Sequence, residues 1–357
     1  FLNQLKIKDF RNHLTFDLNV QKSRIIILGS NGIGKTNLLE AIEFLSQLKS
    51  SRALSDKDLI NNDADSAMVS AQVNSCEDLK IILFKRGSKK IYVNDNLLKK
   101  QSDIRNYIRT VCFSSSDINI VRGEPSFRRI WLDKVVSQLE PVYVELISRF
   151  NKLLKQRSHF WRSGIYKKYQ SDSLLDSFDE QMSIIGTRIF RRRKRALARL
   201  KPYIEYWHNY LSKSKEKIGF NYLGVLQNFS DDDSEEQQII DEFCSKLREQ
   251  RKLEEMTGKC AIGPHRDDIE FLINDSSVRK YASSGQQRTI TLALKMAEID
   301  LLRKSMSINP IFILDDVLAE LDVVRQNLLL DSVGNDSQCF ISATHLDKFN
   351  DLYLDDS

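Results

Sequence analysis

One segment constrains this chain more than any other: Gly29-Ser30-Asn31-Gly32-Ile33-Gly34-Lys35-Thr36. It fits G-x-x-x-x-G-K-[ST] and follows the apolar run Arg24-Ile25-Ile26-Ile27-Leu28. It also precedes Asn37 to Leu48, where Leu38, Ala41, Ile42 and Leu45 recur at helical spacing. A strand, a glycine loop and a helix in that order turn backbone amides inward around phosphate oxygens and aim a helix N-terminus at them. In that setting Lys35 is expected to reach the β- and γ-phosphates, and the Thr36 hydroxyl to ligate Mg²⁺.

Such a loop needs a carboxylate to share the metal. Ile311-Phe312-Ile313-Leu314-Asp315-Asp316 offers four apolar residues for a central strand and two acids at its C-terminal end. Asp315 is placed for Mg²⁺, directly or through water, and Asp316 to orient or deprotonate an attacking water. Lys35 and Asp315 lie 280 residues apart, far more than one α/β unit holds, so a large element is inserted between the halves of the nucleotide site.

The pattern along the chain supplies that insertion. Leu5–Lys8, Leu14–Leu18, Ala67–Val73 and Leu79–Phe84 alternate as strands do, with a turn at Asn94–Asn96. From Pro125 to about Gln156 the spacing predicts a helix, and Gln181 to Tyr210 a second, with a kink or break expected at Pro202. An acidic loop, Ser230–Glu236, leads into a third helix ending near Glu255 with a basic exposed face. Strands are expected again at Ile269–Ile273, Pro310–Leu314 and Cys339–Ile341, with a helix over Ile290–Leu302. The expected plan is an α/β head built from 1–110 plus 256–357, interrupted by a mainly helical domain over 111–255.

Charge follows the same division. The whole chain carries +5, yet Asn151 to Lys201 holds 14 Lys or Arg against four acids, leaving the remainder at −5. Arg188 to Lys201 has eight basic residues and no acid. That run could dock on a polyanion through phosphate contacts or could be a solvated helix face; charge alone leaves both open. Five scattered cysteines argue against a zinc site or a disulfide framework and fit a reducing compartment. No run of about 18 apolar residues exists, and Phe1–Lys6 lacks the core of a secretory signal, so no membrane partner and a cytoplasmic location are expected.

The ordered motifs resemble an ABC-type ATPase head. Ser283-Ser284-Gly285-Gln286 looks like the signature loop, with Ala282 where many members carry Leu. Ala319-Glu320-Leu321-Asp322 looks like the loop after the second acid, and His345 like the switch histidine. Leu5–Asn12 is similar to the opening of SMC-like heads. Phe113–Asp117, Arg128–Asp133, Ser137–Pro141, Leu154–Arg157, Gly263–Asp268 and Ser284–Thr289 resemble the RecF family among them, although Ser115 and Ser116 replace an expected Pro-Glu.

The resemblance implies an ATP- and Mg²⁺-dependent homodimer acting as a DNA clamp. In it, Ser283 and Gly285 of one subunit would touch the γ-phosphate held by Lys35 of the other. It also implies slow, DNA-dependent hydrolysis, binding at gaps and single-strand/duplex junctions of a nucleoid-associated protein, and recombinase loading with RecR and RecO. A coiled-coil SMC ATPase would share the head motifs, but the insertion lacks sustained heptads and allows only a short arm. A transporter ATPase would share them too, without so long an insertion.

Overall fold

A computed structural model describes residues 1–50, 52–74, 77–163, 172–229, 236–305, 309–318, 321–333 and 337–344. The strands are β1 (Leu2–Phe10), β2 (His13–Asn19), β3 (Arg24–Leu28), β4 (Ser66–Val73), β5 (Glu77–Phe84), β6 (Lys90–Val93), β7 (Asn96–Leu97), β8 (Thr110–Ser114), β9 (Ile218–Leu223), β10 (Asp268–Ile273), β11 (Ser276–Ser277), β12 (Ile311–Asp315) and β13 (Cys339–Ala343). The helices are α1 (Lys35–Gln47), α2 (Ile118–Arg122), α3 (Pro125–Leu139), α4 (Val142–Arg162), α5 (Asp172–Ser212), α6 (Glu236–Glu249), α7 (Arg251–Thr257), α8 (Val278–Tyr281), α9 (Ser284–Ser305) and α10 (Val323–Val333).

The chain divides into two compact units, Phe1–Asp117 with Glu298–Ser357, and Ile118–Ala297. The first holds two sheets. One is antiparallel, in the order β2-β1-β4-β5-β6-β7, and the other parallel, in the order β3-β13-β12-β8. The antiparallel strands show the alternation the sequence predicts: β4 buries Ala67, Val69, Ala71 and Val73 and leaves the residues between partly exposed. The parallel strand β12 is buried at all five positions, as a strand covered on both faces must be. Helix α1 packs against both sheets, which is why nearly every residue from Leu38 to Gln47 is buried.

The second unit is mainly helical, with the small antiparallel sheet β11-β10-β9. Its spine is the 41-residue α5, which packs on α3, α4 and α6. Of the kink or break expected at Pro202, the break does not occur. The helix runs through Pro202 to Ser212, and Leu200 and Ile204 on either side are fully buried, so tertiary packing outweighs one missing backbone hydrogen bond. The helix expected over Pro125–Gln156 is two: α3 ends at Leu139, and Pro141 opens α4. The third helix is likewise two, α6 and α7, parted at Gln250. The acidic loop at 230–235 lies outside the described residues.

The boundaries also differ from the sequence reading. Residues 256–297, assigned above to the head, group with the helical unit. The cause is pairing: β10 matches β9 over six residue pairs, and Arg128 of α3 grips the Asp268 carboxylate with contacts of 2.6 and 3.0 Å. Neither partner could be inferred from local pattern.

Candidate functional site

The glycine loop leaves the C-terminal end of β3 and enters α1 at Lys35. Gly32 and Gly34 have φ of +86° and +112°, a region that side chains with a Cβ rarely adopt. At Gly34 space forbids a side chain as well. A Cβ there would come within 2.7 Å of Asn12 Nδ2 and 3.0 Å of His13 Nε2. Asn12, in the tight β1–β2 turn, and His13, at the start of β2, hold the loop from outside: Asn12 Nδ2 donates to the Ile33 carbonyl at 3.2 Å, and His13 Nε2 lies 3.1 Å from the Gly34 carbonyl. Arg11 beside them grips Glu40 of α1 through two hydrogen bonds of 2.9 and 2.8 Å.

Lys35 is 6% exposed, and its ammonium donates to the Gly29 and Ser30 carbonyls at 2.6 and 3.1 Å. Its charge is therefore held by neutral acceptors of its own loop. Thr36 Oγ1 donates to Asp315 Oδ1 at 3.0 Å, which joins the start of α1 to the end of β12.

The parallel sheet explains how residues 279 apart meet. β13 lies between β3 and β12, so the loop and the two acids emerge at one end of three neighbouring strands. Ser342 of β13 pairs in register with Asp315, donates its hydroxyl to Asp315 Oδ1 at 2.9 Å and accepts the Asp316 amide at 2.9 Å. One hydroxyl thus holds the Asp315 carboxylate and the Asp316 backbone. Asp316 turns out of the strand with φ +54°, a left-handed conformation that Asp tolerates better than most residues, and is partly buried. On the other side of Asp315, Arg52 donates from Nη2 to Oδ2 at 2.5 Å.

Sequence reasoning missed Ser342, Arg52, and the bracing by Asn12 and His13. Ser342 had a readable signal, a polar residue closing the apolar run Cys339–Ile341 as Asp315 closes its own. Arg52 had none, because its partner is 263 residues away.

In the helical unit, Ser283-Ser284-Gly285-Gln286 forms the start of the 22-residue α9. Ser283 N donates to Gln286 Oε1 at 2.7 Å and Gln286 N to Ser283 Oγ at 3.2 Å, a reciprocal capping box. Ser283, Ser284 and Gly285 are exposed. A Cβ on Gly285 would meet nothing closer than 3.9 Å, so the glycine is not required by its own subunit. Asp322 caps α10 through the Arg325 amide at 3.0 Å, while Ala319, Glu320 and His345 lie outside the described residues.

The basic run Arg188–Lys201 is neither a plain DNA-facing stripe nor a plain solvated one. Arg193 is 2% exposed, binds both oxygens of Asp133 at 2.9 and 3.0 Å, and donates to the Pro264 carbonyl at 2.7 Å. Arg191 pairs with Glu236, Arg192 with Glu140, and Lys201 with Glu205. A helix buried in a bundle can carry such charges only if opposing carboxylates come with it, and Asp133, Glu140 and Glu236 lie on other segments.

The model of the RecF/RecN/SMC N terminal domain family matches residues 1–352. A DNA replication and repair protein RecF of Synechococcus sp. (strain CC9605) is 43% identical over 343 residues, 96% of this chain and 94% of that protein. That of Parasynechococcus marenigrum (strain WH8102) is 43% identical over 344 residues, with the same coverage. Among solved structures, the recombination mediator protein RecF-ATPrS of the RecFOR pathway superposes with a TM-score of 0.90 at 30% identity, covering 98% of this chain and 94% of that one. A Pyrococcus furiosus Smc head domain, at 17% identity and a TM-score of 0.52, shares the fold. With an ABC/SMC-type head and relatives of this similarity along nearly its whole length, the chain belongs to the RecF family.

Proposed function

We propose that this protein is an ATP-driven DNA clamp of recombinational repair and replication restart. Two copies would close on DNA gaps and single-strand/duplex junctions, and help load recombinase together with RecR and RecO. The observation that carries the nucleotide half is the chain Thr36–Asp315–Ser342–Asp316, four polar groups brought to one end of the parallel sheet. Gly29 to Thr36 would wrap the phosphates with amides. Lys35 would exchange two neutral carbonyls for phosphate oxygens, a gain because hydrogen bonds to charged acceptors are roughly twice as strong.

The donor set suits Mg²⁺. Thr36 Oγ1 and Asp315 Oδ1 are oxygen ligands already 3.0 Å apart, and Mg²⁺ in phosphate sites takes few protein ligands and keeps waters. Bound there, it would neutralise charge on the β- and γ-phosphates. Asp316, its backbone held by Ser342, would orient the attacking water and accept its proton. Its side chain is one methylene shorter than Glu, which fits slow turnover and a timing role. His345 would act as the switch residue in the same site.

The partner's Ser283–Gln286 would complete the site. An exposed helix N-terminus offers free amides to an anion, and a glycine with nothing near it leaves room for a close approach. Membership of the RecF family, whose relatives are DNA replication and repair proteins, supports the DNA half. Mass in solution with and without ATP tests the scheme. Nucleotide-dependent dimers are expected for the wild type and none for Lys35→Met; a dimer insensitive to both would break the reading. Mobility shift on duplex and gapped DNA, with and without ATP, tests the DNA half.

A further inference from the structure

The helical unit contains a cavity of about 370 Å³ with an unusual lining. Arg188, Arg191, Arg192 and Arg195 occupy i, i+3, i+4 and i+7 of α5, the spacing of one helix face. Opposite them, α4 presents Val142, Glu145, Leu146 and Arg149 at the same spacing. Two helices that meet along such faces normally close them with apolar side chains. Here one face is wholly guanidinium, and the seam opens into a pocket.

The charges do not cancel. Five arginines line the cavity with Glu145 and Glu236, and Glu140 takes Arg192 at 2.9 Å and Arg195 at 3.6 Å. Counting all three carboxylates, the site keeps an excess of two positive charges among the described residues. Arg149 is exposed and forms no ion pair among the described residues, and Arg188 is half exposed with its Glu236 contact stretched to 3.5 Å. The arginines are pre-positioned by their helices, so little side-chain freedom is lost when an anion enters.

The lining also says what the anion is not. Among the described residues it holds no aromatic ring to stack a base and no amide side chain to read a base edge. Planar guanidinium forks match phosphate oxygens and carry no sequence information.

We propose that the arginine-lined cavity between α4 and α5 is a seat for a phosphate group of the nucleic-acid backbone, with Arg149 and Arg188 at its mouth. This rests on the DNA-clamp reading above, and it narrows the basic run of the sequence to one face: Lys201, in the same run, is outside the site.

The test compares Arg149→Glu with Lys201→Glu, equal charge changes at two exposed positions, checked for folding by circular dichroism. Binding of fluorescent duplex DNA is measured over a salt series. Arg149→Glu should weaken binding by about tenfold and reduce the salt slope by about one, as loss of one phosphate contact requires. Lys201→Glu should change affinity by less than about twofold, as a surface charge with no fixed phosphate would. Equal weakening by the two variants would mean a diffuse field and overturn the proposal. Wild-type binding that Arg149→Glu leaves intact would overturn it while sparing the clamp reading; absence of wild-type binding under any nucleotide condition would sink both. A third arm titrates sodium pyrophosphate at constant ionic strength and follows thermal unfolding. Stabilisation of the wild type but not of Arg149→Glu, with DNA binding equal in both, would reassign the cavity to free phosphate compounds and overturn the backbone assignment.

Discussion

Lys35 and Arg157 are both buried cations; the sequence marks the first as a phosphate-loop lysine and the second only as part of a segment that resembles the RecF family. Their surroundings differ in kind. Lys35 is held by two backbone carbonyls of its own loop. Arg157, fully buried, is held by two carboxylates, Glu254 at 2.7 Å and Asp179, and Asp179 is also bound by Arg251. A cation on neutral acceptors can exchange them for a stronger anionic ligand without leaving a charge behind. A cation on buried carboxylates cannot be withdrawn without leaving buried negative charge uncompensated. The contrast separates a charge kept for a ligand from a charge that binds helices together.

Substitution at each position should break the comparison in opposite ways. Arg157→Met should cost about 3–5 kcal/mol of stability, because it leaves buried Glu254 without its cation and Asp179 with Arg251 alone. Urea unfolding measures this, and a wild-type midpoint would show that Arg157 is not structural. Lys35→Met should leave the urea midpoint unchanged and lower steady-state hydrolysis by about 10²–10³-fold, the scale for losing one electrostatic donor. A lowered midpoint there would show that the lysine also braces its loop.

Gly34→Ala tests how far the loop depends on its backbone. With φ at +112° and Asn12 within 2.7 Å of the new methyl, about 1–3 kcal/mol should be lost, read as a lower melting temperature with weakened nucleotide binding.

Acid should act on the helical unit through His265. Burial, aided by the neighbouring Arg266 and Arg129 charges, pushes its imidazole down to about 4 from an ordinary 6.5. Between those values the unfolded chain takes a proton that the folded one refuses, so stability is intact above pH 6.5 and declines as pH falls toward 4. Asp267, raised to about 6 by burial from 3.8, slopes the other way below pH 6. Comparing His265→Gln with the wild type isolates the histidine. The advantage of the Gln variant should grow as pH falls below 6.5, and a pH-independent difference in melting temperature would refute it.

The smallest effect is expected at Arg52, whose guanidinium is 40% exposed and occupies Asp315 Oδ2. Arg52→Ala removes a competing cation, so the Mg²⁺ concentration for half-maximal nucleotide binding should fall about two- to fivefold, the scale of a partly screened ion pair. An unchanged or raised requirement would mean that Arg52 assists the site instead.

Local pattern made the glycine loop, the Asp315 strand and the existence of a helical insertion legible, because each is written in contiguous residues. It failed where the answer lay in a distant partner. Pro202 reads as a kink or a break, and the break is ruled out only by packing: Leu200 and Ile204 bury completely on both sides and the helix continues. Gly263–Asp268 reads as part of the head, yet Asp268 is bound by Arg128 and β10 by β9. The run from Arg188 reads as either a polyanion-binding stripe or a solvated face, yet Arg193 is buried and bound to Asp133.

What the sequence by itself determined is the chemistry of the loop: eight consecutive residues specify positive-φ glycines, a lysine and a threonine at a helix start, whatever surrounds them. It also determined, from the separation of 280 positions from Lys35 to Asp315, that the site is assembled from the two ends of the chain. Only the tertiary structure decided that Ser342 holds the Asp315 carboxylate and the Asp316 backbone, that Arg52 sits on Asp315, and which arginines are structural and which line a cavity. The reason is physical. Backbone conformation is set largely by neighbours in sequence, whereas the fate of a charge depends on the sign and distance of groups that only folding brings near.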